Sequence, residues 1–212
     1  MLRGLPSASP LNIGAVWQGC CGNLKFARDL LCVLLMCGFV PQMVSALEYT
    51  RQGDALLVSG EVFSNDLRKF KRAIRANPNV KTLVFLDVPG SADDATNVQI
   101  VRLIRELGLN THLTRTSHVA SGGTDLFIGG VKRTMERGAK IGVHSWSDGT
   151  RDGADFPDES SEHDMFIELY DDLNVAEEFY WFTLDAAAAD DMHYMTVDEI
   201  RDFGILTEPM KE

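Results

Sequence analysis

An α/β fold with a mainly parallel sheet of repeated strand–helix units is the fold class that this sequence predicts. Short apolar runs alternate along the chain with stretches of helical periodicity, which is the pattern of strand–helix–strand crossovers. The apolar run at residues 82–86 is nearly continuous, as in a parallel strand that is covered on both faces. The 212 residues are 45% hydrophobic and 24% charged, which suits one soluble globular domain with a short appendage.

The first predicted unit covers residues 55–86. Residues 55–58 are an apolar run that reads as a strand, and Gly60 ends it. A helix is predicted for residues 64–76, with Ser64 as its N-cap. An Asn-Pro-Asn turn then stops the helix before the strand at residues 80–86.

Two further helices and two further strands continue the pattern. A helix is predicted for residues 93–107 because apolar side chains recur at helical spacing, and Gly108 stops it. Residues 109–115 alternate as a strand does, and the small residues of 120–130 open the next helix. The following strand, 139–145, carries His144 near its carboxyl end.

The last third of the domain is predicted to be a loop followed by helices. Residues 146–159 are rich in Gly, Asp, Ser and Pro without periodicity, so we expect an exposed loop. A single long helix is predicted for residues 160–182 from its apolar spacing. Thr196 and Glu199 form a capping-box pattern for the final helix, which should end at Gly204.

Residues 1–46 have the pattern of a signal peptide or an N-terminal membrane-targeting segment. Lys25 and Arg28 precede an apolar run at residues 30–40, and small residues follow at 44–46. The run is shorter than the roughly 20 residues that span a membrane. We therefore expect cleavage after residue 46, a folded domain of residues 47–212, and a periplasmic or secreted protein; without cleavage the chain would be membrane-anchored.

Cysteine usage and charge exclude several function classes. All four cysteines precede residue 47: Cys20, Cys21, Cys32 and Cys37. The domain therefore has no thiol for a disulfide framework, a cysteine nucleophile or a CxxC site. The formal net charge is −11, and the chain shows no basic stripe, so we expect no nucleic-acid partner.

Ser121 is the first candidate for chemistry. Ser121-Gly122-Gly123 lies where a predicted strand gives way to a predicted helix, which presents a side chain at a sharp turn beside helix N–H groups. The first Gly of the G-x-S-x-G elbow is replaced by Val119. A nucleophilic serine and a helix N-cap serine both remain open from this pattern.

Other residues near strand ends can cooperate with Ser121. Gly90 follows a buried strand, where its N–H could stabilise an oxyanion. His144 could act as a general base, because a serine hydroxyl is a weak nucleophile at neutral pH. Asp190 and Asp191 are carboxylates downstream that could orient the imidazole.

At these residues the sequence resembles the Clp protease/crotonase superfamily, in particular the Clp protease proteolytic subunit. The matching segments, in family order, are Pro89-Gly90-Ser91, Ala120-Ser121-Gly122-Gly123, Val143-His144 and residues 196–206. The resemblance implies a Clp protease/crotonase-like fold, with Ser121 as nucleophile and His144 as general base and then acid. It implies an oxyanion hole from the N–H of Gly90 or Ser91 and that of Gly122.

The sequence departs from the family pattern at three places. Ser91 stands where the oxyanion loop has a second Gly. The position of the triad Asp falls near Met192, so Asp191, or else Asp190, must serve after a shift of one or two residues. The loop 146–159 replaces the Gly-rich strand that pairs with substrate in the family.

The resemblance implies an exported serine hydrolase, most simply a peptidase, that acts on peptides or unfolded polypeptides. The alternative is a non-catalytic binding or assembly module that keeps the same fold. We expect association into a homo-oligomer through residues 160–182, no cofactor, and no ATP-driven unfoldase, since ATP is scarce outside the cytoplasm.

The sequence offers residues for three other chemistries. An exported relative uses a Ser–Lys dyad, for which Lys132 and Lys140 are the lysines near enough in sequence. Crotonase-type acyl-CoA chemistry shares the oxyanion hole, but an exported protein would rarely meet CoA. A metal site would draw on residues whose spacing matches no standard ligand motif, so no metal is expected: His144, Asp148, His163, Asp190, Asp191 and His193.

Overall fold

The computed structural model describes residues 45–212, which contain one seven-stranded sheet and six α-helices. The strands are β1 (Glu48–Gln52), β2 (Ala55–Ser59), β3 (Thr82–Val88), β4 (Asn110–Ala120), β5 (Arg133–Met135), β6 (Lys140–Val143) and β7 (His193–Tyr194). The helices are α1 (Asp66–Ala76), α2 (Asp94–Glu106), α3 (Gly122–Ile128), α4 (Asp164–Asp172), α5 (Glu177–Ala186) and α6 (Val197–Asp202). The mainly parallel α/β fold that the sequence predicts is confirmed.

The sheet has the strand order β1-β2-β3-β4-β6-β7, with β5 paired to β4. The pairs β2–β3, β3–β4 and β4–β6 are parallel, whereas β1 and β7 join their neighbours antiparallel. Strand β4 pairs with β5 through Leu113 and then with β6 from His118 onward. The carboxyl ends of β3, β4 and β6 therefore lie side by side, which is the edge where ligand sites of such sheets form.

The hydrophobic core fills the space between the sheet and its helices. Large side chains from β3, α1 and α3 are completely buried there, among them Phe70, Phe85 and Phe127. Helix α2 packs against α1, α3 and α4. This packing fixes the N-terminal ends of α2 and α3 against the carboxyl edge of the sheet.

The predicted single helix over residues 160–182 is wrong, because the segment forms two helices. Asn174 adopts a left-handed conformation, with φ 52°, and ends α4. The Asn174 N–H donates to Asp171, and the Val175 N–H donates to Tyr170, both at 2.9 Å, which is the Schellman pattern of a helix end. Apolar spacing continues across the break, so periodicity alone did not reveal it.

Sequence patterning also missed three strands and misplaced some boundaries. Strands β1, β5 and β7 were not predicted, and the strand predicted for 109–115 continues to Ala120. Part of the predicted loop 146–159 is ordered by a 3-10 turn, Gly153–Asp155. Ser64 does not cap α1; the Asp66 carboxylate accepts the Phe63 N–H there instead, at 2.8 Å.

Two predicted helix ends are confirmed in detail. The Thr196 hydroxyl accepts the Glu199 N–H at 3.2 Å and so caps α6. The Glu199 carboxylate in turn accepts the Thr196 N–H at 2.7 Å. Gly108 and Gly204 end α2 and α6 with φ of 64° and 61°. These signals are local in sequence, so they can be read without tertiary information.

The prediction that the chain has no basic stripe is wrong, because α1 carries one. Arg68, Lys71, Arg72 and Arg75 are all exposed and follow the i, i+3, i+4, i+7 spacing of one helix face. Within residues 45–212, none of the four forms an ion pair with an acidic side chain. The net negative charge of the whole chain gives no indication of this local positive surface.

The predicted leader lies outside the described residues except for its last two. Ser45 accepts the Glu61 N–H at 2.8 Å, and Ala46 pairs with Glu61, so both residues contact the domain. In the part of the chain that the structure describes, no helix is long and apolar enough to cross a membrane.

Candidate active site

Ser121 links the end of β4 to the start of α3 in a strained conformation. Its φ of 51° and ψ of −129° are unusual for a residue with a side chain. The Ser121 N–H donates to Gly142 at 3.0 Å, and its carbonyl accepts from Thr124 at 2.8 Å, so both neighbours hold the turn. The hydroxyl makes no capping hydrogen bond. A structural N-cap role therefore does not explain a serine at this position.

The two glycines after Ser121 allow close packing. A Cβ atom on Gly123 would lie 2.1 Å from the Val88 carbonyl oxygen, and one on Gly122 would lie 2.5 Å from the Ser91 hydroxyl oxygen. Any larger residue would push α3 away from the end of β3. The pair of glycines thus brings Ser121 next to the turn that follows β3.

The turn after β3 faces Ser121. Val62 pairs with this turn by donating to the Gly90 carbonyl and by accepting the Ala92 N–H. In such a parallel bridge the N–H of the intervening residue, Ser91, points to the opposite side. A Cβ atom on Gly90 would lie only 3.5 Å from the Cβ of Ser121, so the turn and the serine are in contact distance.

Two backbone N–H groups near the serine are free. Among the described residues, neither the Ser91 N–H nor the Gly122 N–H donates to a protein acceptor. The Ser91 hydroxyl donates a hydrogen bond to the Asp94 carboxylate. Among the described residues, the two N–H groups predicted to form the oxyanion hole are therefore unoccupied by a protein acceptor.

His144 follows β6 directly and lines the same cleft as Ser121. Its Nδ1 atom is buried and has no hydrogen-bond partner among residues 45–212. The carboxylate of Asp191 is exposed and accepts the Met192 N–H at 2.7 Å. Asp190 is exposed as well, and neither aspartate lines the cleft. The structure brings Ser91, Ser121, Gly122 and His144 together, with Gly90 adjacent, but leaves the imidazole without a carboxylate.

The cleft encloses about 140 Å³ and is partly aromatic. Its remaining walls come from α2, α3, α4, α5 and the segment after His144. The lining side chains that sequence reasoning had not assigned to the site are Asp94, Thr124, Asp125, Trp146, Ser147, Phe166, Tyr170, Tyr180 and Thr183. They come from distant parts of the chain, so their spacing gave no signal.

Asp125 is the centre of a buried polar network beneath the serine turn. The Tyr170 hydroxyl donates to its carboxylate at 2.7 Å, and the Asn97 amide donates to it at 3.4 Å and to the Gly122 carbonyl at 3.1 Å. Burial raises the pKa of Asp125 to about 7; the Tyr170 hydrogen bond opposes this shift, and the nearby Asp94 adds to it. Asn97 therefore ties the serine turn to a carboxyl group that titrates near neutrality.

Four other candidates from the sequence do not themselves line the cleft. Lys132 pairs with Glu208 at 3.0 Å, and Lys140 lies over the Tyr194 ring, 5.4 Å from its centroid. His163 is bonded to Tyr180 at 2.6 Å, and His193 to Glu199 at 3.0 Å. Within the described residues, no group of three histidine, cysteine or carboxylate side chains is close enough to hold a metal ion.

No protein-family model and no curated protein sequence matches this chain. Solved structures do match. ClpP1 from Listeria monocytogenes is 15% identical over 75% of this chain and 92% of its own, with a TM-score of 0.51. A lysine-to-alanine mutant of the 1510-N membrane-bound stomatin-specific protease, in complex with a substrate peptide, is 20% identical over 72% of each chain, with a TM-score of 0.50.

An enoyl-CoA hydratase from Bacillus halodurans matches to a similar extent. It is 13% identical over 79% of this chain and 74% of its own, with a TM-score of 0.51. Proteases and a CoA enzyme of the crotonase type thus share this architecture at low sequence identity. The chain has the fold of the Clp protease/crotonase superfamily, as its sequence resemblance predicts. A fold of this kind hosts several chemistries, so function must be argued from the site.

Proposed function

We propose that this protein is a serine hydrolase that cleaves peptide bonds, with Ser121 as its nucleophile. The observation that carries the proposal is the strained, uncapped Ser121 in a cleft shared with His144. Strain of this kind costs about 1–3 kcal/mol and persists where the surrounding structure and a function maintain it. The peptide bound to a solved relative of this fold supports a peptide as the substrate class.

The proposed reaction proceeds through an acyl-enzyme. The Ser121 hydroxyl oxygen bonds to the carbonyl carbon of the scissile amide while the His144 imidazole takes its proton. The N–H groups of Ser91 and Gly122 stabilise the negative oxygen of the tetrahedral intermediate. The imidazolium then protonates the leaving amine as the C–N bond breaks, and a water molecule, deprotonated by His144, hydrolyses the ester.

The third member of the site is proposed to be Asp191. Its carboxylate would have to leave the Met192 N–H and accept a hydrogen bond from the buried Nδ1–H of His144. We expect Asp191→Asn to lower kcat more than Asp190→Asn, because only the former removes the proposed partner. Equal kcat values in the two variants would show that the imidazole works without Asp191.

The proposal also includes where the protein acts. The leader pattern supports export, with a periplasmic or secreted location, or membrane attachment if the leader is retained. Outside the cytoplasm the enzyme would act on peptides or unfolded chains without an ATP-driven unfoldase. Degradation of a folded substrate that requires added ATP would contradict this part of the proposal.

Covalent labelling tests the nucleophile directly. Protein treated with a fluorophosphonate probe should gain one adduct, and peptide mapping should place it on Ser121. Ser121→Ala should abolish labelling, whereas Ser64→Ala, which changes an exposed serine outside the cleft, should not. Labelling that survives in Ser121→Ala would overturn the assignment.

Kinetics of paired variants test whether Ser121 and His144 act as one unit. Each of Ser121→Ala and His144→Ala should lower turnover by orders of magnitude, and the double variant should be no slower than either single one. Additive losses would show that the two side chains contribute separately.

A non-catalytic binding or assembly module is the second candidate function. The unpartnered Nδ1 of His144 and the serine at the second position of the oxyanion turn favour it. This candidate predicts that peptides bind to the wild-type protein and to Ser121→Ala with equal affinity and that neither protein turns them over. Turnover that depends on Ser121 excludes it.

A further inference from the structure

Two carboxylates line the cleft beside the proposed nucleophile. Asp94 is the first residue of α2, and Asp125 is one turn beyond Ser121 on α3. Among the described residues, neither forms an ion pair, and no lysine or arginine lines the cleft. The cleft therefore has two carboxyl groups and, among the described residues, no lysine or arginine side chain to neutralise them.

Asp125 is a buried carboxyl group whose charged form a counter-ion would stabilise. Its side chain is only 6% exposed, and the Tyr170 hydroxyl and the Asn97 amide are its hydrogen-bond partners. Burial and the neighbouring Asp94 raise its pKa, so the charged form is disfavoured in the unliganded cleft. A cation bound between the two carboxylates would reverse this effect, because opposite charges at short distance favour ionisation.

Aromatic side chains also line the cleft. Trp146 and Phe166 are stacked with centroids 6.2 Å apart, and Phe166 stacks on Tyr180 at 5.9 Å. Such walls accommodate the methylene stem of a long side chain. Apolar contact of this kind is favourable for the aliphatic part of a lysine or arginine side chain.

We propose that this cavity, the acid-lined cleft, binds the side chain of a lysine or arginine residue next to the scissile bond. The inference rests on the proposed function and specifies its substrate class: peptides that contain a basic residue. Asp94 and Asp125 contact the cation, and Trp146, Phe166 and Tyr180 pack on the aliphatic stem. An acidic side chain would place a further carboxylate beside Asp94 and Asp125, and an apolar one would supply no counter-ion.

Matched substrates test the specificity. Three fluorogenic amides with the same leaving group would carry lysine, norleucine or glutamate as the acyl residue. We expect kcat/KM for lysine to exceed that for norleucine at least tenfold, and glutamate to be the poorest. Equal kcat/KM values for lysine and norleucine in an active enzyme would overturn the inference and leave the proposed function standing.

Variants connect the preference to the carboxylates. Asp94→Asn should bring the lysine-to-norleucine ratio close to one, whereas Asp158→Asn, at an exposed aspartate without hydrogen-bond partners in the described chain, should keep the wild-type ratio. Asp125→Asn, which retains an acceptor for Tyr170, should also lower the ratio. A ratio that is unchanged in both Asp94→Asn and Asp125→Asn would contradict the inference.

A binding measurement separates this inference from the proposed function, because it needs no turnover. Benzamidine should raise the melting temperature of the wild-type protein in a saturable manner, while its neutral analogue benzamide should not. Asp94→Asn should lose this response, and Asp158→Asn should keep it. Saturable benzamidine binding without any turnover would remove the hydrolase proposal alone; no benzamidine binding would remove the inference.

Discussion

Ser121 has a strained backbone conformation and lacks the hydrogen bond of a structural cap. We expect Ser121→Ala to change the free energy of unfolding by less than ~0.5 kcal/mol, because no capping bond is lost. Thr196→Ala is the matched control: it removes a real cap and should cost about 1 kcal/mol. Urea denaturation of the two variants decides this; equal losses would show that Ser121 acts as a cap after all.

Ser121→Gly should separate strain from chemistry at the same position. Glycine adopts a positive φ without steric cost, so this variant should be more stable than the wild-type protein by about 1 kcal/mol while lacking activity. Urea denaturation and a turnover assay on one preparation give both values. A loss of stability in Ser121→Gly would contradict the interpretation of the turn as strained.

Asp125 should make the stability of the domain depend on pH. Its pKa is about 7 in the folded state, against about 3.9 for an unfolded aspartate, so the folded state keeps the proton over that range. Below pH ~4 the raised pKa contributes its full stabilisation to the folded state. This stabilisation is lost as the pH rises through 7, which lowers the free energy of unfolding by about 4 kcal/mol at most. Asp125→Asn cannot ionise, so its stability relative to the wild-type protein should increase between pH 4 and 7. In Asp158→Asn this difference should stay constant; a flat difference in Asp125→Asn as well would refute the raised pKa.

At the scale of an element, α1 carries more positive charge than its own stability favours. Arg72 lies four residues after Arg68 and three before Arg75, and like charges at these spacings cost about 0.2–0.5 kcal/mol each. We expect Arg72→Glu to stabilise the domain by about 1 kcal/mol at low salt and Arg72→Gln by about half as much. Both gains should vanish near 1 M salt, where charges are screened within ~3 Å. A salt-independent change would indicate altered packing instead.

The boundary between α4 and α5 shows how one residue ends an element. The helical spacing of apolar residues continues past Asn174, yet the left-handed conformation there ends α4, and α5 begins at Glu177. Asparagine tolerates that conformation better than most residues with side chains. The sequence identified the apolar residues of both helices, such as Phe166 and Phe179, but not the turn between them.

At the scale of the whole molecule, the sequence predicts self-association through the region that the structure divides into α4 and α5. Light scattering of residues 47–212 at micromolar concentration should give a mass that is a multiple of the monomer mass. A monomer at that concentration would contradict the prediction. Dilution into the nanomolar range provides the comparison, because a specific oligomer dissociates with a measurable midpoint.

The sequence by itself determined the α/β class, the order of the central units and the positions of Gly90, Ser121 and His144 after three of the strands. These features depend on local properties, namely apolar periodicity, turn glycines and helix caps, which neighbouring residues in the chain decide. Only the tertiary structure decided which groups meet at the cleft. Asn97 reaches Asp125 across 28 residues, and Tyr170 reaches it across 45, while Asp191 remains outside. Contacts of this kind depend on strand register and helix packing. They join distant segments, so they produce no periodic pattern in the sequence.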